Sequence, residues 1–172
     1  MKNTIIKYGI YAFITASVLF LAGFLIGKQI DLDFNTMAVF GYASMVLSLL
    51  FVFFGIKHFR DHVNDGKVSL GKAIIIGLLI SLFAAIGFGI VDYIYTTSIN
   101  PDFAVQYKEY TINQLQEANL SAEELKAQTD QLEASMEMMS SPTIMAFIMF
   151  VTVLIIGFII SLISALILQR KN

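Results

Sequence analysis

The sequence contains no cysteine and little charge. Without cysteine the chain has no disulfide, no thiolate nucleophile and no cysteine metal site, and its redox compartment cannot be inferred. Only 14% of the 172 residues are charged, whereas 57% are hydrophobic, and the mean hydropathy is +0.75. This balance excludes an ordinary water-soluble domain.

The motifs that carry common enzyme chemistry are also missing. There is no phosphate-binding glycine loop, no nucleophile elbow and no zinc-protease helix motif. His58 and His62 have the spacing of a two-histidine metal site, but no third strong ligand follows at a set distance. We therefore expect a protein that is not an enzyme, with no cofactor, no metal and no nucleic-acid partner.

The apolar residues are gathered into four long runs. About 20 apolar residues, at about 1.5 Å rise each, cross about 30 Å of hydrocarbon. The first run follows Lys2 and Lys7 as a secretory signal would, but it is too long for a signal and has no convincing cleavage site. We predict one all-α membrane domain over residues 1–172, with transmembrane helices at about residues 5–27, 37–56, 70–96 and 143–168.

Turn signals separate these runs. Asn64, Asp65 and Gly66 tolerate positive φ and predict a chain reversal between the second and third spans. Asn100 precedes Pro101, and the residue before proline is disfavoured in a helix, so the third span should end there.

A long polar segment separates the third and fourth runs. Phe103, Tyr107 and Tyr110 share one helical face, and Ser121 with Glu124 has the spacing of a capping box that starts a second helix. The second helix carries a four-three packing pattern at Leu125, Thr129, Leu132, Met136 and Met139. We predict a helical hairpin outside the bilayer over about residues 102–140.

The charges separate by loop. One side carries Lys2, Lys7, Lys57, Arg60, Lys67, Lys72, Arg170 and Lys171 against Asp61 and Asp65. The other side carries Lys28, Lys108 and Lys126 against Asp31, Asp33, Asp92, Asp102, Glu109, Glu117, Glu123, Glu124, Asp130, Glu133 and Glu137. Cytoplasmic loops are enriched in Lys and Arg. We therefore predict a multi-pass protein of the cell inner membrane with both termini cytoplasmic and residues 97–141 periplasmic.

Small residues recur at every fourth position of two spans. The third carries Ala73, Gly77, Ser81, Ala85 and Gly89, and the fourth carries Gly157, Ser161 and Ala165. Such strips let helices approach closely, either within the bundle or in a homodimer or partner-helix contact. Residues 77–86 and 157–166 also resemble each other, as in an inverted transporter repeat, but coincidence or shared packing explains this more simply.

Asp92 is the acidic residue that lies furthest within a predicted span. It lies about one turn from the end of that span, beside Tyr93 and Tyr95, where water or Lys28 could reach it. An ionisable group in a span suggests a function by default, because its burial is costly. Asp92 is thus a candidate polar site, as an interfacial aspartate or as a proton or cation site.

Four basic residues lie at the predicted cytoplasmic surface. They are Lys57, Arg60, Lys67 and Lys72. We predict that they bind anionic lipid head groups, each contributing about 1 kcal/mol.

The chain resembles a known family in several stretches. They are Phe54 to Asp61, Asn64 to Ala73, Gly77 to Ile80, and the apolar segment from Gly157 that ends in basic residues at Lys171. These stretches are similar to small bacterial membrane proteins, common in Bacteroidota, of the domain-of-unknown-function 4199 family. The resemblance implies four membrane helices with a long polar segment before the last, and no catalytic residues to carry over.

Two functions are consistent with these features. The first is a non-enzymatic accessory or scaffold subunit whose outer hairpin and small-residue faces meet a membrane-protein partner. The second is a small transporter or channel formed by oligomerisation, in which Asp92, Tyr93 and Tyr95 line an outer vestibule. An intramembrane enzyme would need cooperating polar groups at one depth, and the spans offer only Ser and Thr there.

Overall fold

The computed structural model describes residues 1–30, 32–118, 120–139 and 141–170, apart from the side chains of 138 and 139. Six α-helices follow one another: α1 (Lys2–Gln29), α2 (Phe34–His62), α3 (Leu70–Ile94), α4 (Phe103–Glu117), α5 (Ala122–Met139) and α6 (Pro142–Leu168). A π-helical turn, Tyr95–Ile99, extends α3. Asp31 and Lys171, and the side chain of Met139, lie outside this description.

Four helices are long and apolar enough to cross a membrane. They are Lys2–Gln29, Phe34–His62, Leu70–Ile99 and Pro142–Leu168. The predictions of an all-α chain and of four such helices are confirmed. The third helix extends through the π turn to Ile99 and Asn100 leaves the helix, as predicted from the proline that follows.

The predicted turn and cap are also present. Asp65 and Gly66 adopt positive φ angles of 50° and 77°, which reverse the chain between α2 and α3. Ser121 N–H donates to Glu124 Oε2 at 3.0 Å, and Glu124 N–H donates to Ser121 Oγ at 3.3 Å. The hydrogen bond from the Ser121 hydroxyl to the Glu124 carboxylate, together with the one from Ser121 N–H, holds the pKa of Glu124 below its ordinary value.

The chain termini and the α2–α3 loop meet at one end of the bundle, here called the basic end. Val68 and Arg170 exchange backbone hydrogen bonds of 3.3 and 3.0 Å, and the rings of Tyr8 and His58 lie 5.4 Å apart. At the opposite, acidic end, Lys28 donates to the carbonyl oxygen of Ile99 at 3.0 Å. The two groups of charged residues separated in the sequence therefore lie at opposite ends.

The central helix of the bundle is α3, which contacts α1, α2 and α6. Its tightest contact with α6 is the α3–α6 seam, formed by Gly77, Ser81, Gly157 and Ser161. A Cβ atom on Gly77 would lie 2.5 Å from Ser161 Oγ, and one on Gly157 would lie 2.5 Å from Ser81 Cβ and Oγ. Each serine hydroxyl donates to the carbonyl oxygen four residues earlier on its own helix, so no polar atom is left unpaired at this contact.

The remaining predicted packing residues extend the seam in both directions. Ala73, Ala85 and Ala165 are fully buried. A Cβ atom on Gly89 would lie 3.3 Å from the carbonyl oxygen of Ala146 on α6. The small-residue strips of α3 and α6 thus pack against each other within one chain, which is the first of the two arrangements considered from the sequence.

We predict that Gly157→Ala lowers the free energy of unfolding by about 1–3 kcal/mol, since the added methyl group overpacks the seam against Ser81. Thermal unfolding of the purified protein in lipid nanodiscs measures the change. The matched control is Gly23→Ala, where an added Cβ meets no atom within 4 Å. A double variant, Gly157→Ser with Ser81→Gly, should recover much of the loss by exchanging the two partners. Equal stability of the Gly157→Ala and Gly23→Ala variants would contradict the seam.

Candidate functional site

Asp92 is buried although it lies near the end of its helix. The residue is only 5% exposed, and its Oδ2 atom has no hydrogen-bond partner among the described residues. Lys28, the cation expected nearby, is engaged at the carbonyl oxygen of Ile99 instead. Asp92 is therefore buried in the protein, away from Lys28, and its role as an interfacial aspartate or as a proton or cation site stays a prediction.

The backbone beside Asp92 changes from an α-helix to a π-helical turn. The hydroxyl of Thr96 donates to the carbonyl oxygen of Asp92 at 2.9 Å, and that of Thr97 donates to Tyr93 O at 2.6 Å. The backbone N–H of Asn100 then donates to the carbonyl oxygen of Tyr95 at 2.7 Å, and this hydrogen bond ends the turn. π-helical turns are rare and are often found at functional sites.

Asp92 lines a cavity of about 320 Å³ at the acidic end, here called the Asp92 cavity. Residues of α1, α2, α3, α4, α5 and α6 all contribute to its walls. Five of the eight methionines of the chain line it: Met37, Met45, Met136, Met145 and Met149. The aromatic residues of the wall are Phe20, Phe24, Phe34, Tyr42, Phe103 and Tyr107. Flexible, polarisable thioethers beside aromatic rings form an apolar wall that can adapt to a ligand.

Aromatic contacts hold α4 against the ends of α1, α2 and α3. The rings of Phe24 and Tyr95 stack 3.8 Å apart at 7°. Phe103 of α4 lies 5.7 Å from the ring of Phe34, and Tyr110 lies 5.1 Å from it. The predicted aromatic face of this helix therefore packs on the chain's own helix ends and closes part of the Asp92 cavity.

The three residues of the expected vestibule are not in one place. Tyr93 is 46% exposed on the outside of the bundle and does not line the Asp92 cavity. Tyr95 is fully buried in the aromatic contacts with Phe24 and Phe103. Asp92 alone of the three lines the cavity. Tyr93, the next residue, points about 100° away from it, and the ring of Tyr95 is covered by Phe24 and Phe103.

The four predicted head-group residues divide into two kinds. Lys57, Lys67 and Lys72 are exposed at the basic end. Arg60 is only 9% exposed, and its Nε atom lies 2.6 Å from Asp61 Oδ1. Its Nη1 atom also donates to the carbonyl oxygen of Leu168 at 3.4 Å. Arg60 therefore differs from the prediction, since its guanidinium binds within the protein, at the carboxyl end of α6 where a cation is favoured.

His58 and His62 lie together on α2, with ring centroids 5.2 Å apart. In the described part of the chain, no group of three or more His, Asp or Glu side chains is placed to hold a metal ion. The ring of His58 instead packs against Tyr8 of α1.

Sequence reasoning identified Asp92 but missed the walls around it. The lining residues come from six helices and are up to 132 positions apart, from Phe20 to Thr152. Their spacing along the chain gives no common pattern. The sequence offered one signal for these walls, its composition: the chain has eight methionines but only two histidines and no cysteine.

The fold defines a class of protein. It is all-α, and its four long apolar helices, of which α3 is the central one, are compatible with a multi-pass membrane protein. The chain belongs to the family described as "Protein of unknown function (DUF4199)", whose model matches residues 7–170. No match was found among curated proteins or among solved structures.

We predict that Asp92→Asn raises the free energy of unfolding by about 1–3 kcal/mol in the absence of added ligand, because a buried charge without a partner costs more than a buried neutral amide. Thermal unfolding in nanodiscs measures the shift. The matched control is Glu109→Gln, which removes the same charge from an exposed position on α4 and should change stability by less than about 0.5 kcal/mol. A less stable Asp92→Asn variant would mean that the carboxylate makes a stabilising contact.

Proposed function

We propose that this protein is a non-enzymatic accessory protein of a bacterial inner membrane that binds a small ligand in the Asp92 cavity. One observation carries the proposal: a cavity with a single carboxylate lies at one end of the bundle, while the other end is closed by packed side chains. Ligand sites are commonly concave and apolar with a few polar groups, and the Asp92 cavity has this character.

The closed part of the bundle supports binding over open conduction. Ser81 precedes Asp92 by 11 residues on α3, about 16 Å along the helix. At that depth the seam brings α3 and α6 into contact, and Leu49 and Val52 of α2 are fully buried. A ligand at Asp92 therefore meets packed side chains on its way to the basic end.

The polar groups of the cavity support a binding role over catalysis. Besides Asp92, the residues of the described lining that carry a polar side-chain group are Thr152, Tyr42 and Tyr107. General acid–base and nucleophilic mechanisms use a nucleophile or base placed by a second ionisable partner. Asp92 has no such partner in the described part of the chain.

A small oligomeric transporter is the second candidate, and the position of Asp92 in the cavity wall favours it. Transporter sites commonly lie where helices are interrupted, and Asp92 lies next to a π-helical turn. Transport would require the α3–α6 seam to open, because that seam separates the cavity from the basic end. The one-sided cavity of this conformation is the reason that we place accessory binding first.

The orientation follows from the positions of the charges. The basic end carries the exposed Lys57, Lys67 and Lys72, whereas α4 and α5 at the acidic end carry most of the carboxylates. By the positive-inside rule we place the basic end, with both termini, in the cytoplasm. The exposed lysines then lie at the level of anionic lipid head groups.

We place α4 and α5 outside the bilayer as a periplasmic hairpin. Neither helix is apolar enough to span a membrane, and Lys108 of α4 pairs with Glu133 of α5 at 3.1 Å. Because the aromatic face of α4 packs on the bundle, a partner protein would meet the outward, charged face of α5. A membrane-protein partner is part of the accessory proposal, whereas assembly with further copies of this chain belongs to the transporter alternative.

The orientation can be tested with single cysteines, since the chain has none of its own. We expect a membrane-impermeant maleimide to label the Lys126→Cys variant, on α5, in cells with a permeabilised outer membrane. The Lys67→Cys variant, in the α2–α3 loop, should be labelled only after the inner membrane is opened. The reverse order would show the opposite orientation.

The accessory role predicts a defined complex. We expect the tagged protein, extracted from its native membrane into nanodiscs, to have the intact mass of this chain with a second membrane protein in fixed ratio. A lone monomer or a symmetric homo-oligomer would contradict the accessory role. Flux through such an oligomer, lost in the Asp92→Asn variant, would support the transporter instead.

A further inference from the structure

The Asp92 cavity contains a carboxylate without a matching cation. Asp92 is 5% exposed, and its Oδ2 atom is unpartnered among the described residues. No lysine, arginine or histidine of the described chain lines the cavity. A buried carboxylate is stabilised by an opposite charge at short range, so a cationic ligand would supply what the protein lacks.

The cavity wall also favours a cation, provided that the cation has an apolar body. Six aromatic residues line the cavity, including Phe24, Phe34 and Phe103, which come from three different helices. The faces of aromatic rings attract organic cations, and a group of such rings is the usual site for a quaternary ammonium ion. The methionine side chains provide apolar, adaptable contacts for the rest of the ligand.

The chemistry of the wall distinguishes among kinds of cation. Calcium takes six to eight oxygen ligands and magnesium six, whereas the described lining has one carboxylate and three side-chain hydroxyls. A primary ammonium carries three N–H donors, each of which needs an acceptor. A quaternary ammonium has no donor to satisfy, so one carboxylate and aromatic faces are sufficient for it.

We infer that the Asp92 cavity binds a quaternary ammonium ion with a compact apolar body, with Asp92 as its counter-ion and the aromatic rings as its walls. This inference rests on the proposed binding role of the cavity and adds the class of ligand. The ammonium group can belong to a free compound or to a lipid head group, since the two share this chemistry.

A matched pair of probes tests the inference. Phenyltrimethylammonium carries the charge, and tert-butylbenzene has nearly the same shape without it. In nanodiscs of phosphatidylethanolamine and phosphatidylglycerol, which contain no quaternary ammonium, we expect saturable binding of radiolabelled phenyltrimethylammonium. Unlabelled phenyltrimethylammonium should displace the label at least about tenfold more effectively than tert-butylbenzene does, because only the former pairs with Asp92.

Variants show whether Asp92 is the counter-ion. Asp92→Asn should weaken phenyltrimethylammonium binding at least about tenfold, because the charge pair is lost. Asp92→Glu keeps the charge and should bind more tightly than Asp92→Asn. Glu109→Gln removes an exposed carboxylate that does not line the cavity and should bind like the unmodified protein. Phe103→Leu should weaken binding while leaving Asp92 in place.

The outcomes separate the ligand class from the binding role. Equal displacement by the two probes, with no effect of Asp92→Asn, would overturn the cationic ligand while the cavity kept its binding role. Absence of saturable binding for both probes, in protein that unfolds cooperatively on heating, would overturn both. If the expected binding is found, repeating it in phosphatidylcholine nanodiscs identifies the source: competition by the lipid assigns the site to a head group, and unchanged binding assigns it to a free compound.

Discussion

Four small residues set the distance between α3 and α6, and the rest of the bundle depends on that distance. Gly77 of α3 faces Ser161 of α6, and Gly157 of α6 faces Ser81 of α3. The same glycine–serine contact is therefore made twice, with the two helices exchanging roles. In lipid, where the hydrophobic effect does not drive helices together, such close approach lets dispersion hold them. The likeness between residues 77–86 and 157–166 is explained by this reciprocal packing.

The two ends of the bundle differ because α2 presents different residues to them. Toward the basic end, α2 contributes Leu49, Val52 and Ile56, all fully buried, and these side chains fill the space beside the seam. Toward the acidic end it contributes Ala38 and Gly41, and the nearest atom to a Cβ on Gly41 would be a Phe20 ring atom 3.7 Å away. Ala38 and Gly41 are the small residues that α2 contributes to the wall of the Asp92 cavity, beside the larger Phe34, Met37, Tyr42 and Met45.

Features encoded by nearby residues could be predicted from the sequence, whereas features that join distant segments could not. Hydropathy indicated four apolar helices, and the sequence of Asp65 and Gly66 indicated the turn between α2 and α3. The hydrogen bond from Arg60 to the carbonyl oxygen of Leu168 could not be predicted, because the two residues are 108 positions apart. The cavity that Asp92 lines is likewise built from six helices, and no local pattern near Asp92 predicts residues so far apart in the chain.

A buried carboxylate is tolerated because the closest contact of the bundle lies away from it. Ser81, the seam residue of α3 nearest to Asp92 among the four that define the seam, lies about 16 Å from it along the helix, and contributions to stability from sites more than about 7–10 Å apart are usually independent. The packing near the basic end can therefore hold α3, α2 and α6 in place while the acidic end keeps an unfilled cavity and an unpaired charge. This separation permits the cavity residues to be set by the proposed ligand rather than by the demands of the fold, since functional sites commonly sacrifice stability that the remaining structure supplies.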